Sequence, residues 1–129
     1  MREFKTGATR DVAEGKLDYH RFLCPFVLQR YCEYLQKHQK QADGKMREGD
    51  NWKKGIPIDV YMASLTRHFV EVWQGWQEGD ISDEALSALL FNAMGMMHEL
   101  LKEERDVEEA KREEGPWQVF TSTTFGPRY

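Results

Sequence analysis

Apolar residues return at helical spacing in three stretches of the chain. From about Phe22 to Lys40 they fall at Phe22, Phe26, Val27, Tyr31 and Leu35. This pattern predicts an amphipathic helix with Pro25 in its first turn, where a missing N–H costs nothing. Pro57 opens a second stretch, with Asp59 placed to meet the positive end of a helix dipole. Val60, Met62, Leu65, Phe69, Val72, Trp73 and Trp76 supply its core side, and Gly75 and Gly79 end it. Ser82 is a natural N-cap for the third stretch, and Asp83 and Glu84 suit its first turn. Its stripe is Leu86, Leu89, Leu90, Ala93, Met97, Leu100 and Leu101. Charge pairs such as Glu108–Arg112 extend it to about Glu114, and Gly115-Pro116 stops it.

The segments between are polar. Residues 1–20 lack a clean period and read as an ordered arm or loop. Gln41 to Gly55 carries Gly44, Gly49 and Gly55 and reads as a loop. Residues 116–129 form an aromatic, Thr-rich tail that either packs back or reaches a neighbouring subunit. Neither strand alternation nor an internal repeat is visible in the body. The expected fold is a single all-α domain over residues 1–129, with about three main helices and long polar loops. Three helices with this much apolar and aromatic surface leave part of it uncovered, so a homo-oligomer is expected.

The bulk numbers narrow the function. Hydrophobic residues make up 40 % of the 129, enough for a core, and charged residues 31 %. The formal net charge is −4, and Glu99 to Glu114, with eight acids and four bases, accounts for all of it. The near-neutral remainder argues against general nucleic-acid binding but leaves room for a local basic pocket. Cys24 and Cys32 lie eight apart in one expected helix, too far along the axis to bridge. They read as reduced packing residues of a cytoplasmic protein. The first residues lack the apolar region of a signal peptide, and no apolar run approaches membrane-spanning length.

The chemistry concentrates around Asn51-Trp52-Lys53-Lys54-Gly55-Ile56-Pro57, a loop that opens directly into the second helix. Helix entrances favour anions, lysines add charge, and tryptophan adds a flat stacking face. Arg67 and His68 follow on that helix. His68 and Glu71 at i, i+3 can share a proton or a metal, or form an ordinary solvated helix pair. Asn92 stands in an apolar stretch and either ties two helices together or meets a ligand. His98 reads as a packed residue. In the arm, Arg10 and Lys16 are placed to clamp phosphates beside Asp11, or are simply charged surface. Metal signals are weak: the histidines are scattered, and the Glu103-Glu104-Arg105-Asp106 string reads as chance in a charged tract.

Several pieces carry a resemblance. They are Gly7-Ala8-Thr9-Arg10-Asp11 with Glu14-Gly15-Lys16, then Asn51-Trp52 with Lys54-Gly55-Ile56-Pro57. Tyr61, Ser64-Leu65, Arg67-His68, Ala88-Leu89-Leu90-Phe91-Asn92 and His98 follow. In this order the chain resembles a family of phage and bacterial proteins, the N-terminal region of dATP/dGTP diphosphohydrolases. The resemblance spans Gly7 to His98. It implies a hydrolase releasing pyrophosphate from a purine deoxynucleoside triphosphate, with Mg²⁺ as cofactor. Arg10, Asp11, Lys16, Asn51, Trp52, Lys54, Arg67, His68 and Asn92 stand at the motif positions. Glu84-Ala85 stands where family members often carry an acid-His pair, which leaves Glu84 as the candidate carboxylate ligand for a metal.

Three readings follow. In the first, an enzyme acting in the cytoplasm (the host's, for a phage protein), His68 or Glu71 positions or deprotonates a water. Arg67 and Lys54 then offset the developing charge. In the second, the same cations and Trp52 bind and sequester a nucleotide signal without cleaving it. In the third, the aromatic tail docks a partner and the domain is an interaction module.

Overall fold

A computed structural model describes residues 1–114. The chain is all-α, with one two-stranded hairpin as its only sheet among the described residues. It divides into two compact units, Met1–Lys37 and the residues from His38 on.

The first unit begins with β1 (Arg2–Glu3) and β2 (Thr9–Arg10), antiparallel, with Arg2 opposite Arg10. Gly7, at φ 86°, makes the turn between them, where a side chain would be strained. This short hairpin is the one regular element of the arm that periodicity does not announce. Next come α1 (Tyr19–Phe22) and α2 (Pro25–Lys37). The single helix expected from Phe22 to Lys40 is therefore broken at its start and ends at Lys37. Leu23 is extended, at φ −107° and ψ 146°. Pro25 has no N–H to continue the helix and disfavours a helical Cys24 before it. Of the expected stripe only Tyr31 is buried. Both cysteines are free, and Cys32 is exposed, so it is not the packing residue its spacing predicts.

In the second unit the expected loop holds two local structures. Lys40 bridges Met46 around Gly44, and Asp43 accepts the N–H of Lys45 at 3.0 Å. Asn51–Lys54 then forms one 3-10 turn. α3 runs Ile58–Glu78 from an N-cap at Pro57, with Asp59 in its first turn. Gly79, left-handed at φ 77°, ends it. The Gly79 N–H donates to the Trp76 carbonyl and the Asp80 N–H to the Gly75 carbonyl, a Schellman closure. α4 runs Asp83–Glu114. Ser82 Oγ accepts the Ala85 N–H at 3.2 Å, the N-cap its sequence predicts.

α3 and α4 pack against each other as an antiparallel hairpin. Its seam is made of small residues on α4, with Ala85, Ala88, Ser87, Asn92 and Gly95 buried. Tyr61 of α3, 1 % exposed, lies on Gly95 and meets Phe91 edge-on at 6.2 Å. The core is therefore narrow. Phe69, Trp73 and Trp76, expected to face it, are 52 %, 53 % and 66 % exposed. No helix among the described residues is long and apolar enough to cross a membrane.

Candidate functional site

The 3-10 turn places Trp52 against α4. Its ring meets His98 edge-on at 4.8 Å, and Lys53 Nζ stands 5.7 Å from the same ring. Trp52 is half-buried and so holds a fixed position while keeping open surface. His98 thus acts as the seat of the tryptophan, a contact its isolated place in the sequence does not reveal. Lys54 pairs with Glu48 at 3.5 Å, both well exposed. Such a pair contributes little to stability and leaves the ammonium able to change partners.

On α3, His68 Nδ1 lies 3.3 Å from Glu71 Oε2. His68 is 28 % exposed and Glu71 56 %. The pair forms as the i, i+3 spacing predicts, half-sheltered, with the carboxylate facing solvent. Arg67 is exposed beside it. His68 follows Ile58 by ten residues, about 15 Å along the axis. The Asn51–Lys54 turn and the Arg67-His68 pair are therefore two places on one hairpin and not one contact cluster.

The register of the hairpin relates these places to α4. With Tyr61 on Gly95, stepping forward on α3 and back on α4 sets His68 level with Ala88 and Glu71 level with Ala85. Glu84, exposed, and Ser87, buried, flank those residues. His98, Phe91, Ser87 and Glu84 recur at intervals of seven, four and three, so they share one stripe of α4. Trp52 thus sits on a stripe that ends about 21 Å away at Glu84. Among the described residues no three His, Cys, Asp or Glu side chains converge to hold a metal ion.

Asn92 is buried, and its Nδ2 donates to the Ala88 carbonyl at 2.7 Å within its own helix. This is the local role among those its sequence position allows, and the amide backs the seam between α3 and α4. Arg10, Asp11 and Lys16 lie in the first unit, all exposed. The Asp11 carbonyl accepts Arg2 Nε at 2.9 Å, tying the arm's hairpin together.

One feature went unread in the sequence. At the entrance of α3, Ile56, Pro57 and Ile58 face Glu99, Lys102, Glu103, Asp106, Val107 and Ala110 across a groove of about 530 Å³. Three carboxylates and one ammonium line it, so a bare phosphate is repelled where the helix entrance alone would welcome it. The signal lay in Glu99, Glu103 and Asp106, spaced four and three apart on one face of α4. Glu99 Oε1 and, near it, Tyr61 Oη are buried with no hydrogen-bond partner among the described residues. Burial raises the Tyr61 hydroxyl above its ordinary 10.0, and the Glu99 carboxylate adds to the rise.

No family model, curated protein or solved structure matches the chain.

Proposed function

We propose that this protein binds a purine deoxynucleoside triphosphate along the α3–α4 hairpin and cleaves it to the monophosphate and pyrophosphate. The observation that carries the reading is the His68–Glu71 pair, 3.3 Å apart, with Glu71 level with the first turn of α4 that holds Glu84. A carboxylate-backed imidazole is a competent general base for water. Arg67 beside it is placed to offset charge on the phosphates. The phosphates lie at this end of the hairpin, whereas Trp52 with Lys53 and Lys54 stands about 15 Å further along, too far for the base of the same nucleotide to stack there. The resemblance to the diphosphohydrolase family supports the same assignment. Mg²⁺ typically binds through one or two carboxylates together with substrate phosphates, and Glu84 would be the carboxylate this chain offers it. Bound there, the ion would neutralise phosphate charge. The setting is the cytoplasm, and the working form contains more than one copy of the chain.

A second reading has its own support. Trp52, fixed by His98 and flanked by Lys53, offers a ring and a cation without any metal. That surface would sequester a nucleotide intact. One experiment separates the two. The pure protein is incubated with pooled deoxynucleoside triphosphates and cyclic nucleotides, with and without Mg²⁺. The free pool and the heat-released supernatant are then weighed by mass spectrometry. Monophosphate plus pyrophosphate appearing only with Mg²⁺ establishes the hydrolase. Intact nucleotide recovered on heating establishes the sequestering protein. Nucleotides that all stay free and whole would overturn both readings.

A further inference from the structure

We draw no further inference here: the strongest candidate, the groove at the entrance of α3 that Ile56, Pro57 and Ile58 form with Glu99, Glu103 and Asp106 of α4, is an acidic cluster beside an apolar wall, and nothing among the described residues shows what covers it.

Discussion

The ring of Tyr61 fills the space that a side chain at Gly95 would occupy. This contact sets the closest approach of α3 to α4 and, with it, the register that levels Glu71 with the start of α4. Even one methyl at Gly95 overlaps the ring, and the ring is buried on all sides. Gly95→Ala should therefore destabilise the protein by about 1–3 kcal/mol, despite alanine's better helix propensity. Thermal unfolding measures it. A melting temperature at or above that of the wild type would show that the hairpin opens without cost and that the register is loosely held.

Tyr61 also buries a hydroxyl without a hydrogen-bond partner among the described residues, near Glu99. An unsatisfied buried hydroxyl costs on the order of 1–3 kcal/mol, so Tyr61→Phe should leave stability unchanged or raise it. The effect on pH dependence has a definite sign. The folded hydroxyl ionises above 10.0, its unfolded value, so above pH 10 the unfolded chain loses the proton first. Stability contributed by Tyr61 is complete below pH 10 and declines as pH rises from there to the raised folded value. Denaturant titrations between pH 8 and 11 should show a decline that the phenylalanine variant reduces. Equal declines in both proteins would remove Tyr61 as the source.

The boundaries of α3 and α4 were legible because the signals are local. Ser82 caps with its own hydroxyl, and Gly79 adopts a conformation that other residues resist. The break before α2 was misread because the apolar period runs through Leu23–Pro25, while the proline's backbone constraint acts on the residues before it. Periodicity also located the apolar side of α3 correctly at Phe69, Trp73 and Trp76 but assigned it to a core. A period says which side of a helix is apolar, and only the tertiary arrangement says what covers it. The groove at Glu99 escaped for the same reason. Its two walls come from residues forty apart in sequence, and the hairpin register alone brings them together. At the candidate site, the i, i+3 spacing of His68 and Glu71 gave their contact, whereas nothing in sequence separation announced that Trp52 rests on His98.

The His68–Glu71 pair separates catalysis from stability. Glu71 is more than half exposed, so breaking the pair should cost less than about 1 kcal/mol. Under the hydrolase reading, His68→Ala and Glu71→Gln should each lower turnover of the preferred deoxynucleoside triphosphate by about 10²–10⁴-fold. Steady-state assays with Mg²⁺, beside melting curves, make the comparison. Full turnover in both variants would place the base elsewhere. Arg67→Ala should weaken nucleotide binding by about tenfold in titration calorimetry, the scale of one charge-assisted hydrogen bond. Unchanged affinity would take Arg67 out of the site.

Trp52 tests the sequestering reading. Its edge contact with His98 contributes on the order of 0.5–1.5 kcal/mol, so Trp52→Ala should lower the melting temperature slightly. The loss of a stacking face should weaken nucleotide affinity more severely, by about 10–100-fold if one base stacks there. Trp52→Phe keeps a ring on His98 and should restore most of both. His98→Ala removes the seat and leaves the tryptophan. If the geometry matters beyond the ring itself, this variant should also weaken binding, by less than Trp52→Ala. The ordering expected by calorimetry is wild type, then Trp52→Phe and His98→Ala, with Trp52→Ala weakest. An alanine variant that binds as tightly as the wild type would mean the base does not stack on Trp52 and would overturn the sequestering reading.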